Sequence, residues 1–188
     1  MSDLRWFKGL EEARREAEGT EKLVLMFFHH PGCGGCKKTL GITFKDLDVI
    51  EHMNQRFAPV SFLVTEAEDL TARYNIEWTP TFVIADENLK ELERWVGYLP
   101  PEEFVSQAYL SEGLSAFHRN RFKDAENSFA WIIDNRPDAE VAPEARYYLG
   151  VSLYKESGDA THLERTWESM SKRYPDGYWT KKASAWSR

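Results

Sequence analysis

An apolar run followed closely by two cysteines decides the fold; residues 23–38 read LVLMFFHHPGCGGCKK. The first six residues are apolar, which suits a buried strand and falls far short of the roughly 20 residues that cross a bilayer. A break follows, and a helix is predicted from Gly34 to about Leu40. Cys33 and Cys36 therefore stand at the start of a helix, directly after a strand.

The position of the two cysteines predicts thiol–disulfide chemistry. A helix N-terminus presents unpaired backbone N–H groups and the positive end of the helix dipole, and both stabilise a thiolate over a thiol. Because the thiolate is the attacking species in disulfide exchange, Cys33 is predicted to be the nucleophile. Cys36 lies one helical turn further on the same face and is predicted to resolve the mixed disulfide. Lys37 and Lys38 add positive charge nearby.

Outward from this stretch, strand and helix patterns alternate. Helical spacing is found in residues 3–18, 46–57 and 69–74 and from residue 102 onward, whereas strand patterns occupy residues 60–64, 81–85 and 92–96. Strands that alternate with helices early and form a hairpin-like pair late indicate a mixed α/β sheet. The first half is therefore predicted to be a central mixed sheet flanked by helices.

This half of the chain resembles the thioredoxin superfamily over residues 3–108. The resemblance rests on the apolar strand, the Cys-Gly-Gly-Cys motif with its two lysines, the segment YNIEWTPTF at 74–82, and Gly97-Tyr98. The opening helix and residues 43–50 are similar to a thioredoxin-related subgroup allied to disulfide-reductase domains. The resemblance implies a thioredoxin fold for residues 1–104 and oxidoreductase activity on protein disulfides, with a thiol electron donor and no cofactor or metal.

The resemblance also implies a substrate-binding loop. Thr79-Pro80-Thr81 matches the family's loop with a cis-proline that faces the active site. The Thr79–Pro80 bond is therefore expected to be cis, although only about 5–6% of X–Pro bonds in folded proteins are. The backbone of Thr79 is expected to pair with the substrate chain. Trp78, Thr79 and Pro80 form the predicted substrate-binding set, with a packing or rim position as the alternative for Trp78.

Three departures from the thioredoxin pattern lie around the cysteines. Gly32 stands where Trp is usual. Gly34 and Gly35 replace Gly-Pro between the cysteines, which loosens the helix start and leaves the redox potential open. Phe27 occupies the position of a buried Asp that helps to deprotonate the second cysteine in the family.

Two histidines near the cysteines are the predicted replacements for that Asp. The imidazoles of His29 and His30 titrate near neutrality, so either can serve as a base. For each histidine the alternative is a solvated loop position. Another alternative is a metal site that combines both with Cys33 and Cys36, although zinc takes four ligands and no second Cys-x-x-Cys is present. A fold with no turnover, acting only as a binding module, is a further alternative.

The second half, residues 105–188, holds a helical repeat. Residues 113–117 recur in type as residues 150–154, an offset of 37. The pattern resembles about two tetratricopeptide repeats followed by a capping helix at 178–186. The resemblance implies that the repeats recruit a protein or peptide partner, and the alternative is that they only pack on the first domain. In the rival interpretation the whole chain is a scaffold or co-chaperone with little or no turnover.

Composition argues against several other classes. The 188 residues carry 24 Lys and Arg against 31 Asp and Glu, a balance that disfavours nucleic-acid binding, which needs clustered cations. The net charge of −7 falls entirely in residues 1–104, where 12 basic residues stand against 19 acidic ones. Two cysteines so close together do not form the disulfide framework of a small secreted protein. With no secretory signal or membrane-spanning run in view, a cytoplasmic protein that contacts no membrane is expected.

Overall fold

A four-stranded mixed sheet forms the centre of the first half in the computed structural model, which describes residues 3–187. The strands, in the spatial order β2-β1-β3-β4, are β1 (Leu23–His29), β2 (Phe57–Leu63), β3 (Thr81–Ala85) and β4 (Glu91–Val96). β2 runs parallel to β1, whereas β3 is antiparallel to both β1 and β4. The predicted mixed sheet is confirmed.

The apolar residues that open β1 are buried on both faces of the sheet, as expected for a strand with a partner on each side. On one face, alternate residues of β1 pack against helix α1 (Leu10–Gly19), through Val24, Met26, Phe28, Ala13 and Ala17. On the other face, Phe27 contacts the rings of Phe44 and Phe82. The carboxyl end of this rigid strand leads directly to the cysteines.

Three further helices accompany the sheet: α2 (Gly34–Gly41), α3 (Leu47–Arg56) and α4 (Glu68–Arg73), with a 3₁₀ turn at Thr43–Lys45. Asp46 caps α3, since its carboxylate accepts the backbone N–H groups of Asp48 at 3.0 Å and Val49 at 3.2 Å. The side chain of Thr43 donates to the carbonyl of Leu99 at 2.7 Å. These bonds fix the segment that follows α2.

The helix predicted over residues 3–18 begins only at Leu10, so the prediction was wrong for residues 3–9. Backbone pairing explains the difference. The N–H of Phe7 donates to the carbonyl of Pro59 in β2 at 2.9 Å, and Gly9 is extended, with φ of −173°. Trp6 still joins the core, where its ring lies 5.3 Å from that of Phe44. The apolar spacing of this segment therefore reflects burial without helix formation.

β2 begins before the predicted strand, at Phe57 instead of Val60. The sequence pattern was interrupted by Pro59, because proline cannot donate to a strand ladder and argues against a central strand. β2 lies at the edge of the sheet, and within residues 3–187 one side of its backbone has no strand partner. Proline is tolerated in such a strand.

The chain divides into two compact units, Met1–Val105 and Ser106–Arg188, and the division falls within helix α5 (Pro101–His118). The helices that follow are α6 (Phe122–Asn135), α7 (Ala142–Ser157), α8 (Thr161–Arg173) and α9 (Tyr178–Ala183), with a 3₁₀ turn at Ser184–Trp186. The predicted all-helical C-terminal region is confirmed. Among residues 3–187, no helix combines the length and the apolar character needed to cross a bilayer.

Two glycines mark close helix contacts in the second unit. A Cβ atom at Gly113 of α5 would overlap the ring of Phe129 in α6, and one at Gly150 of α7 would overlap Thr166 in α8. These glycines are the first residues of the two similar segments seen in the sequence. Both predicted copies therefore contain a helix pair in contact through a glycine.

Candidate active site

Cys33 and Cys36 form a disulfide at the N-terminus of α2. Their Cα atoms are 5.2 Å apart, within the usual span of a disulfide. Cys33 is the N-cap residue of α2, with extended backbone, and Cys36 lies in the first turn. The structure therefore brings the two predicted cysteines together at the end of β1.

The two cysteines differ in exposure. Cys33 is partly exposed, whereas Cys36 is 1% exposed. The backbone N–H of Cys36 donates to Sγ of Cys33 at 3.0 Å, so the sulfur occupies the position of a helix-capping acceptor. A thiolate at Cys33 would keep this hydrogen bond, and charge on the acceptor would strengthen it. The geometry suits an attacking Cys33 and a protected Cys36.

The loop before β3 reaches the same sulfur. Sγ of Cys33 lies 3.2 Å from the carbonyl oxygen of Thr79, and the Thr79–Pro80 peptide bond is cis, as the resemblance implied. In the disulfide this sulfur has no proton, so the approach is a contact. In the reduced protein, the thiol of Cys33 would have a hydrogen-bond acceptor there.

Three contacts hold this loop in place. The hydroxyl of Thr81 donates to the carbonyl of Trp78 at 2.7 Å, and the N–H of Gly97 donates to the carbonyl of Pro80 at 2.8 Å. Gly97 has φ of +102°, in the region that favours glycine. A Cβ atom at Gly35 would lie only 3.1 Å from Cδ of Pro80. Gly35 thus allows the start of α2 to pack closely on the proline.

Gly97 and the residue after it were missed as site residues in the sequence. Gly97 and Tyr98 line the groove beside Cys33, and Tyr98 contacts Lys38, whose Nζ lies 5.5 Å from the ring centroid. The sequence did contain a signal for them, because both residues belong to the segments that carry the thioredoxin resemblance.

Gly34, the other glycine between the cysteines, has open space around its Cα, with no atom within 4 Å of an added Cβ.

The two predicted bases lie in different surroundings. His30 is exposed and lines the groove, and its Nδ1 accepts the N–H of Gly32 at 3.0 Å. His29 stacks on Phe27, with ring centroids 4.9 Å apart. Burial lowers the pKa of His29 from its ordinary value, and the nearby Glu66 carboxylate opposes that shift. Within residues 3–187, no hydrogen bond joins either imidazole to Cys36.

Phe27, which lies in β1 before the cysteines, belongs to a buried aromatic cluster. Its ring is fully buried and stacks on Phe82 at 5.1 Å, while Phe44 meets it edge-on at 5.3 Å. Phe82 in turn stacks on Trp95 at 4.7 Å. The position that holds a carboxylate in the resembled family is therefore filled by a packed hydrocarbon ring.

A groove of about 740 Å³ runs beside Cys33. Its walls include all three residues predicted to bind substrate, Trp78, Thr79 and Pro80. Trp78 is 72% exposed, so the structure places it on the rim. No cluster of three or more metal-ligating side chains occurs in the described part of the chain.

Comparison with known proteins gives a consistent result. The family model described as a thioredoxin-like domain matches residues 10–113. A thioredoxin from Thermus thermophilus is 28% identical, with a TM-score of 0.50, over 56% of this chain and 85% of that chain. A DsbH oxidoreductase is 19% identical, also with a TM-score of 0.50, over 58% of this chain and 85% of its own, and shares the fold. No curated protein sequence matches the chain significantly.

Proposed function

Because the chain belongs to the thioredoxin-like domain family, we propose that it is a thiol–disulfide oxidoreductase that acts on protein disulfides. The observation that carries the proposal is the asymmetric pair at the start of α2. A partly exposed Cys33 caps the helix and is bonded to a buried Cys36, with the carbonyl of Thr79 beside it. One sulfur is accessible for attack and the other is protected for resolution.

The proposed reaction consists of two exchanges. The Cys33 thiolate attacks one sulfur of a client disulfide, a bond forms between the two sulfurs, and the client's S–S bond breaks. The departing client thiolate takes up a proton. Cys36 then loses its proton and attacks Sγ of Cys33, which releases the second client thiolate and restores the disulfide of the structure. Two electrons pass to the client, and a thiol donor, itself oxidised to a disulfide, supplies two more to reduce Cys33 and Cys36 again.

The groove beside Cys33 is the proposed site for the client chain. Trp78, Thr79 and Pro80 would contact the segment around the client cysteine, and the support for this assignment is that all three line the groove with Cys33. Of the two histidines, His30 lines the groove together with Cys33, and this placement is the support for proposing it as the base of the site.

A turnover assay tests the enzyme assignment. The wild-type chain should accelerate reduction of insulin by dithiothreitol, and Cys33→Ser should reduce the rate to that of dithiothreitol alone. In a separate reaction without dithiothreitol, Cys36→Ser that has been reduced beforehand should accumulate a mixed disulfide with insulin, which non-reducing electrophoresis detects. Equal rates for the wild type and Cys33→Ser would overturn the enzyme assignment and favour the scaffold or co-chaperone interpretation.

For the second unit, the function we propose is recruitment of a protein partner through tetratricopeptide-like repeats. The support is the pair of similar segments and the glycine at the helix contact of each, Gly113 and Gly150. In complexes trapped with Cys36→Ser, chemical cross-linking and mass spectrometry should find client peptides joined to residues 106–187. Cross-links confined to residues 3–105 would contradict recruitment.

The compartment sets the direction of the proposed reaction. The location we propose is a reducing cytoplasm, where thiol donors keep cysteines in the thiol form. Cys33 and Cys36 would therefore act there as a reductant of client disulfides. The redox state of Cys33 and Cys36 in growing cells, trapped by acid and alkylation, tests this direction. A predominantly oxidised pair would indicate that the protein serves as an oxidant.

A further inference from the structure

Two consecutive residues of the groove beside Cys33 are an acidic residue and an exposed aromatic one. Trp78 is 72% exposed and Glu77 is also exposed, and both line the groove. The backbone beneath the indole is held, since the carbonyl of Trp78 accepts the Thr81 hydroxyl at 2.7 Å. No ring contact of this indole occurs within residues 3–187. A large, exposed aromatic side chain therefore lines the groove, on a loop whose backbone is held by this hydrogen bond.

The charges around the groove favour a cation on this side. Of the described residues that line it, Glu77 is the one with a side chain charged at neutral pH, and a thiolate at Cys33 would add a second negative charge. Residues 1–104 hold 19 acidic against 12 basic side chains. Lys38 does not line the groove; its Nζ lies 5.5 Å from the ring centroid of Tyr98, which does.

We propose that Glu77 and Trp78 select clients that carry Lys or Arg beside the reacting cysteine. The client's cation would lie over the indole face of Trp78, an attractive arrangement because the ring face carries partial negative charge. The carboxylate of Glu77 would pair with the same cation. This selection rests on the proposed function, because it acts on the client of the Cys33 reaction.

Peptide mixed disulfides test the selection directly. Four short peptides, with Lys, Leu, Glu or Gly on both sides of one cysteine, are each joined to 5-thio-2-nitrobenzoate, and the reduced protein releases the coloured thiolate. The wild type should react about tenfold faster with the Lys peptide than with the Glu peptide, from a cation–π contact combined with an exposed ion pair. Trp78→Ala and Glu77→Gln should each lower that ratio about threefold.

The controls separate the selection from the reaction itself. Leu47→Ala removes another exposed apolar side chain, one that does not line the groove, and should keep the wild-type ratio. Added salt should weaken the part of the preference that Glu77 supplies. Equal wild-type rates with all four peptides would overturn the selection alone. Rates no greater than those of Cys33→Ser, even with the Gly peptide, would overturn the proposed function and the selection with it.

Discussion

At Cys33, two contacts act in opposite directions on the attacking sulfur. The N–H of Cys36, at 3.0 Å, stabilises a thiolate, whereas the Thr79 carbonyl oxygen, at 3.2 Å, repels a thiolate and would accept a proton from a thiol. The first contact follows from local sequence, because a cysteine at a helix start faces its free N–H groups. The second joins residues 46 apart, and only the family resemblance pointed to it.

The two glycines between the cysteines offer a matched pair of substitutions. Gly34→Ala should stabilise the protein by about 0.5 kcal/mol, because alanine restricts the unfolded chain and open space surrounds the position. Gly35→Ala should destabilise it by about 1 kcal/mol, because the new Cβ would lie 3.1 Å from the ring of the buried Pro80. Urea unfolding of both variants measures the difference.

The same pair should differ in insulin reduction. Gly35→Ala displaces the Pro80 loop relative to Cys33 and should slow the reaction severalfold, as small misplacements at reacting groups do. Gly34→Ala should retain the wild-type rate. Equal stability and equal rates in the two variants would show that the contact between Gly35 and Pro80 has no effect on the site.

At the scale of the elements, strand β1 ends at His29, whose partly buried imidazole is more stable uncharged than in water. Burial holds the pKa of His29 below its ordinary value, so the unfolded chain takes up this proton first as the pH falls. Stability is therefore fully present above about pH 6.5 and declines as the pH falls toward the folded-state pKa. His29→Phe, which can still stack on Phe27, should lose less unfolding free energy than the wild type between pH 7.5 and 5.

Titratable groups that the wild type and His29→Phe share contribute equally to both losses of unfolding free energy, so their contributions cancel in that comparison. Urea unfolding at the two pH values gives the four free energies required. An equal or larger loss in His29→Phe would mean that folding does not lower the pKa of His29.

In the second unit, the contact between α5 and α6 depends on the absence of a side chain at Gly113. Helix propensity alone favours alanine over glycine by about 1 kcal/mol. Gly113→Ala should nevertheless destabilise the protein by about 1–3 kcal/mol, because its Cβ would overlap the buried ring of Phe129. Thermal unfolding followed by circular dichroism measures the loss.

A double-mutant cycle attributes that loss to the ring. Phe129→Leu removes the overlapping ring edge, so Gly113→Ala should cost at least 1 kcal/mol less in that background. The same cost in both backgrounds would place the effect elsewhere in the helix.

The elements differ in how well local sequence predicts them. β1 was predicted from its own residues, because six consecutive apolar side chains suit a strand buried on both faces. The extended backbone of residues 3–9 was not predicted, because the hydrogen bond from Phe7 to Pro59 joins segments far apart in sequence. β2 was predicted too short because Pro59 argues against a strand, and the sequence does not show that β2 lies at the sheet edge, where proline is tolerated. Where pairing with a distant segment decides the backbone, the local pattern is insufficient.

For the molecule as a whole, the uneven charge predicts a dependence on salt. The excess of acid lies in residues 1–104, which contain Cys33 and its groove. Such a field accelerates encounter with basic clients and is screened within about 10 Å at 0.1 M salt. Reaction with a basic protein disulfide should slow severalfold between 50 and 300 mM salt, whereas reaction with an uncharged peptide should not. A rate independent of salt for both clients would show that the net charge does not steer the encounter.

Because Cys33 is partly exposed and Cys36 is buried, the fraction of this chain in the reduced state can be measured by counting alkylated cysteines. In the oxidised form described above, neither cysteine is free, so a maleimide reagent has nothing to alkylate. After reduction the folded chain offers the reagent Cys33 and withholds Cys36, and each molecule gains the mass of a single adduct. Electrophoresis of a cell extract treated with a heavy maleimide would therefore separate the two forms into two bands, and their ratio would report the fraction of protein ready to react.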